Sequence, residues 1–153
     1  MDKAEVDIYQ KTRHPDTWKW VDKKTTNSFS IEKKKIHIGH KVALVLSLTA
    51  EIGVERITNV FEADTIYFIR ADRQDVDCIR SLEDLSDFWH KYQIVCDDAK
   101  NVEKAKEICV FPAMPVSAAF EVGRRYMPKV YPKLRIYDDS NGFVDTNIII
   151  GEE

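Results

Sequence analysis

Val42-Ala43-Leu44-Val45-Leu46-Ser47-Leu48 is a continuous apolar run of strand length. A strand that is apolar on both faces belongs in the middle of a parallel sheet covered by helices, because neither of its faces meets water. The flanking segments fit such a sheet. Thr49 is placed to cap a following helix, with Ile52, Ile57, Val60 and Phe61 on its inward side. Thr65-Ile66-Tyr67-Phe68-Ile69-Arg70 is rich in β-branched and aromatic residues and reads as a second strand. Ser81, with Asp84 three residues on, opens a helix in which Leu85, Phe88, Trp89 and Tyr92 recur at helical spacing. After a charged stretch from Asp97 to Lys106, Ile108-Cys109-Val110-Phe111 reads as a third buried strand, broken by Pro112-Ala113-Met114-Pro115. Val116 to Gly123 then reads as a tightly packed helix, with Pro115 near the first turn where a missing N–H costs nothing. Leu134 to Tyr137 and Phe143 to Ile150 flank Asp138-Asp139-Ser140-Asn141-Gly142, a hairpin with Asn141-Gly142 as its turn.

Strands and helices alternating at this length predict an α/β fold with a mostly parallel, doubly wound sheet and an antiparallel pair at its C-terminal edge. Residues 1–35 differ in character: they are polar, Lys-rich and weakly periodic, with Trp18 and Trp20 as exceptions. Thr25 to Ser28 and Glu32 to Lys35 read as a solvated loop or linker. The expected organisation is an N-terminal linker or docking segment over 1–35 and a domain over 36–153.

Composition sets outer bounds. A chain of 153 residues fits one domain, which at this size buries roughly 70% of the surface its unfolded chain exposes. The net charge of −3 argues against a duplex nucleic-acid binder, which normally carries an excess of Lys and Arg. A small anionic ligand needs only a few local donors and is not excluded. No run approaches the roughly 18 apolar residues of a membrane span. Met1 to Gln10 carries Asp2, Glu5 and Asp7 in place of an apolar signal core. A cytoplasmic protein without a membrane partner is expected. Cys78, Cys96 and Cys109 are odd in number and form no CxxC pair, so buried free thiols are expected.

In open parallel sheets, ligands bind outside the carboxyl ends of the strands, where the winding changes direction. Ser47-Leu48-Thr49-Ala50-Glu51 and Pro112-Ala113-Met114-Pro115-Val116-Ser117 are the segments that would occupy that rim. Both turn straight into helices and use small residues that admit a ligand to the backbone. A helix N-terminus offers N–H donors and partial positive charge to a phosphate, and Ser47, Thr49 and Ser117 can add hydroxyls. Singly, each of these residues reads first as a helix cap. The site reading requires the two turns to lie side by side. Catalytic and metal patterns are weak by comparison. His37 and His40 fall on opposite faces in a strand-like context, without a third ligand. Ser117 lacks a GxSxG elbow, and there is no Walker or GxGxxG loop. The acid pairs Asp97-Asp98 and Asp138-Asp139 are most simply solvated. No cofactor is expected.

Phe111-Pro112-Ala113-Met114-Pro115-Val116-Ser117-Ala118-Ala119-Phe120-Glu121-Val122-Gly123-Arg124-Arg125, followed by Met127 to Pro132 and Arg135-Ile136-Tyr137-Asp138, resembles the closing segment of SAVED domains. In that family a strand leads into a Phe-x-Ala-x-Pro turn, an alanine-rich helix ends in Gly-Arg, and a strand ending in Tyr-Asp/Glu follows. His40 to Thr49 looks like the family's first strand and turn, and the Trp near position 18 also fits. The resemblance spans roughly residues 36 to 150. It implies a Rossmann-like, CARF-like three-layer sandwich. It also implies a sensor that binds a cyclic di-, tri- or tetranucleotide in bacterial antiviral signalling of the CBASS type. Such a sensor catalyses nothing itself and acts on an effector domain or subunit. The implied ligand contacts are Ser47, Leu48 and Thr49 from the first strand, Ala113, Met114, Pro115 and Ser117 from the third, and Arg70, at the end of the second strand, as a contact to a phosphate or base; Arg124 and Arg125, on the far turn of their helix, are weaker contacts. Trp18 and Trp20 are placed either to stack on a base or to dock on the core. The chain carries one half's worth of strands, so a second CARF-like half or a homo-oligomer is the expected partner. The rival readings are a ring-nuclease-like enzyme that cuts the messenger and a structural half-domain with an empty site.

Overall fold

The computed structural model describes residues 12–13, 16–17, 20 and 27–151. Two short strands, β1 (Thr12–Arg13) and β2 (Asp16–Thr17), pair with each other. The main sheet is built from β3 (Phe29–Lys35), β4 (Val42–Ser47), β5 (Thr65–Ala71), β6 (Glu107–Ala113), β7 (Lys133–Asp139) and β8 (Phe143–Ile150). Their order is β3-β5-β4-β6-β7-β8. The four central strands run parallel, and β3 and β8 close the two edges antiparallel.

Alternation along β4 explains its apolar run. Leu44 and Leu46 face one layer together with Tyr67 and Ile69 of β5, while Ala43 and Val45 face the other with Ile66 and Phe68. Every residue of β4 is buried. The first layer is covered by α2 (Leu82–Asn101) and α3 (Val116–Arg125), through Phe88, Tyr92, Ala118 and Val122. The second is covered by α1 (Val54–Thr58) and its flanks, through Ile52, Ile57 and Phe61. Helices thus cover both faces, giving the expected three-layer α/β sandwich. Phe111 anchors the thinner layer, stacking on Tyr137 at 4.4 Å between centroids and meeting Phe143 edge-on at 5.2 Å.

Local chemistry sets the helix starts. Ser81 Oγ accepts the Asp84 N–H at 3.0 Å, and the Asp84 carboxylate accepts the Arg80 and Asn27 N–H groups, each at 3.0 Å. This ties the start of α2 to the chain entering β3. In the hairpin, Asn141 (φ 56°) and Gly142 (φ 115°) take the left-handed backbone that such a turn requires.

Several expectations are corrected. Residues 29–35 form an edge strand rather than a solvated loop, with Phe29 buried and Ile31 packed on the core. Their lysines suit an edge that must not pair with a neighbouring chain. Thr49 caps no helix. The helix starts after Gly53 and has five residues, because β-branched Val54, Ile57 and Thr58 give little helical drive, and Val60 is exposed. Asp97 to Asn101 extend α2 rather than lying beyond it. Pro112 lies within β6, past the last β6–β7 partner pair, Val110 and Ile136, so its missing N–H takes nothing from that ladder. His37 and His40 sit in the bend between β3 and β4, not on a strand. Trp20 packs half-buried against the core, whereas Trp18, Thr25 and Thr26 lie outside the described residues.

Candidate functional site

β4 and β6 are parallel neighbours, yet β4 leads into α1 on one face and β6 leads into α3 on the other. The winding therefore reverses at their carboxyl ends, the location that favours a ligand crevice. Ser47 and Ala113 are partners across the ladder, and Leu48 N and Thr49 N both donate to Ala113 O at 2.9 Å. The two bends meet on one rim.

The same bonds correct one expectation. The Leu48 and Thr49 amides are paired with Ala113 O, so they are not open donors for an anion. Ser47 is fully buried. Its Oγ accepts the Ile52 N–H at 3.2 Å and its carbonyl accepts Gln74 Nε2 at 3.2 Å. Ser47 therefore shapes the bend from inside. Leu48 and Ser117 are buried as well, at 0% and 3% exposure, so their side chains do not line an open surface. Thr49, Ala113, Met114 and Pro115 are half-buried and form the accessible lip.

Arg70 leaves β5 beside this lip with its guanidinium 4.3 Å above the Phe68 ring. It donates to Glu51 Oε1 at 3.0 Å and to Glu32 Oε2 at 2.5 Å. Gln74 Nε2 donates to the other oxygen of Glu51 at 2.7 Å. The hydrogen bond from Arg70 holds the Glu32 carboxyl below its ordinary value. Burial raises that of Glu51, but the bonds from Gln74 and Arg70 outweigh it and the net shift is downward. This clamp fixes the β4–α1 bend. The sequence brings Arg70 and Glu51 toward this rim but does not mark them, Glu32 and Gln74 as partners, since pairings across 19 to 38 residues leave no local pattern.

At the far end of α3, Arg124 donates through Nε and Nη2 to Glu121 at 3.1 Å each, and Arg125 also pairs with Glu121. Glu121 is 2% exposed. Arg124 is thus part of a helix-end ion pair, well removed along α3 from Pro115. The outward side of α3 is apolar: Val116 is 83% exposed and Phe120 47%, with Ala119 and Gly123 also exposed.

Among the described residues, no group of three His, Cys, Asp or Glu side chains could hold a metal ion, and no helix is long and apolar enough to cross a membrane. Cys78, Cys96 and Cys109 are free and buried, and burial pushes each thiol up to about 12.

Known proteins place this architecture. Two solved structures of the Acinetobacter baumannii Cap4 SAVED/CARF-domain containing receptor are similar, one with the cyclic trinucleotide 2'3'3'-cAAA and one with 3'3'3'-cAAA. Their TM-scores are 0.65 and 0.63 at 15% and 14% identity, over 81% of this chain. The chain spans 28% of the length of that receptor chain. No curated protein matches. Residues 1–146 match the family described as the SMODS-associated and fused to various effectors sensor domain. With nearly its whole length matched, on a sheet of the same fold, the chain belongs to the SAVED family of sensor domains.

Proposed function

We propose that the chain binds a cyclic oligonucleotide on the β4–β6 rim and so serves as the sensing part of an antiviral effector. The observation that carries this reading is the meeting of the two bends at the winding reversal, through Ser47, Leu48, Thr49 and Ala113. Membership of a sensor family supports it, as does the cyclic trinucleotide held by the structurally similar Cap4 receptor. Thr49, Ala113, Met114 and Pro115 make direct contact, while Ser47, Leu48 and Ser117 hold the backbone that presents them. Arg70 turns from its carboxylates toward a ligand phosphate or keeps Glu51 in place beside it. Arg124 contributes at most from the periphery.

The rim by itself is half a pocket. A second CARF-like half, in the same protein or in a second copy, covers the exposed apolar side of α3 and completes the seat. Residues 1–35 act as a docking segment whose last part is β3, and 36–153 form the body of the sensor. The protein works in the cytoplasm, and an effector domain or subunit carries any catalysis.

A thermal-shift screen against cyclic di-, tri- and tetranucleotides tests the proposal. A ligand present at 100 times its dissociation constant adds about 2.7 kcal/mol of stability. Thr49→Arg and Val116→Arg, at positions able to hold a long side chain, are expected to remove the shift while the ligand-free melting temperature changes little. Shifts equal to wild type in both variants place the ligand elsewhere. Chromatography of the recovered ligand separates a sensor, which returns it intact, from a ring-nuclease-like enzyme, which returns a linear product.

A further inference from the structure

At the opposite end of the sheet, where β4 and β6 begin, lies a cavity of about 550 Å³. Strands of this length put it about 20 Å from the rim. We infer that this cavity is a second ligand site, which takes a small phosphorylated molecule with a flat apolar ring, of the nucleotide class.

Its charge points to an anion. Lys41, Lys104 and Lys106 line it and are all exposed. No acidic side chain among the described residues pairs with them. Two carboxylates also stand in the wall, and the three lysines outnumber them. Asp64 Oδ2 accepts the Lys41 N–H at 3.0 Å, and Glu107 Oε2 accepts from Arg135 Nε at 3.3 Å. The floor is apolar, formed by Val42, Cys109 and the half-buried ring of Phe61. Three cations around an apolar floor suit a ligand with phosphate at one end and a ring at the other.

The walls are held in place. Asp64 O accepts the Ile36 and His37 N–H groups, and Lys41 O accepts those of Asp64 and Thr65. Gly39 allows this closure, since a Cβ there would come within 2.2 Å of Asp64 Oδ2. On the other side, Lys104 has φ 57°, in the left-handed region that ends helices and normally belongs to Gly. Its neighbours Glu103 and Ala105 are 3% and 5% exposed, so the backbone is fixed on both sides. Lys104 thus lines the cavity from a backbone conformation that favours Gly.

Calorimetric titration of the chain with ADP, adenosine and pyrophosphate tests the inference. ADP is expected to bind, with adenosine and pyrophosphate each weaker by about tenfold or more, as the loss of one good contact group implies. Lys104→Gly is expected to raise the ligand-free melting temperature by relieving the backbone, yet to weaken ADP binding. Lys106→Glu should weaken binding with little change in melting temperature, and Lys106→Arg should retain it. Absence of ADP binding at millimolar concentration overturns the site, as does binding unaffected by Lys104→Gly and Lys106→Glu. Pyrophosphate binding as tightly as ADP overturns the ring-recognising part.

Discussion

The two ends of β4 and β6 use the same pair of strands in opposite ways. At the carboxyl end, the bends are closed by backbone bonds onto Ala113 O, and the nearest cation, Arg70, is held by two carboxylates. At the amino end, the connection leaving α2 turns in a buried carboxylate, Glu103. It takes Lys35 at 2.6 Å, Lys33 at 3.4 Å and the Thr65 hydroxyl at 3.2 Å, while three further lysines beside a cavity pair with no acid among the described residues. The carboxyl end is shaped and locally neutralised; the amino end is charged. On the proposed function, recognition at the rim would rest on shape and on what a second half brings, whereas the lysines give the amino end a positive charge of its own.

The strongest way to break this comparison is to remove what joins the two ends. Phe111→Ala deletes a fully buried ring from the middle of β6 and should cost about 3–5 kcal/mol by urea denaturation. A loss below about 1 kcal/mol would show that the Phe111–Tyr137 stack does not hold β6. Next, Glu103→Gln should lower stability by about 1–3 kcal/mol at neutral pH, since the hydroxyl and ammonium partners lose a charged acceptor. The bond from Lys35 holds the Glu103 carboxyl below its ordinary 4.5. Its contribution is therefore complete above that pH and disappears as pH falls through the lower folded value. Acid titration of melting temperature should be flatter in Glu103→Gln than in wild type; equal slopes contradict the assignment.

At the rim, Arg70→Ala frees two exposed carboxylates and should change stability by about 1 kcal/mol or less. Its larger effect is expected on the ligand-induced thermal shift, because the β4–α1 bend loses its clamp. A full shift in the variant removes Arg70 from the site. The smallest effect concerns the thiols. Cys78, Cys96 and Cys109 should remain unlabelled by a thiol reagent in the native protein and label fully in denaturant. Native-state labelling would show that one of the layers opens.

What the sequence made legible follows from physical range. β4, β5, α2 and the final hairpin have strong local signals: two-sided burial, β-branched content, a Ser81–Asp84 start and an Asn-Gly turn. All four elements are present. β3 escapes because an edge strand has one wet face, so Glu32-Lys33-Lys34-Lys35 reads as solvated although β3 pairs residue by residue with β5. At the site, the meeting of the two bends was legible because topology alone fixes it. The state of their amides was not, because Ala113 O lies 64 residues from Thr49 and nothing local announces the bond. Asp98 reads as solvated in sequence for the same reason, yet it accepts the Tyr67 hydroxyl at 2.5 Å and pairs with Lys33 at 2.6 Å.

Amide-resolved NMR titration of the chain with a cyclic trinucleotide would show whether the β4–β6 rim is where the ligand sits. The amides of Thr49, Ala50, Met114 and Val116 are expected to shift first and most. Perturbation confined to Lys41, Lys104 and Lys106, or no saturable change at the rim, would contradict that location.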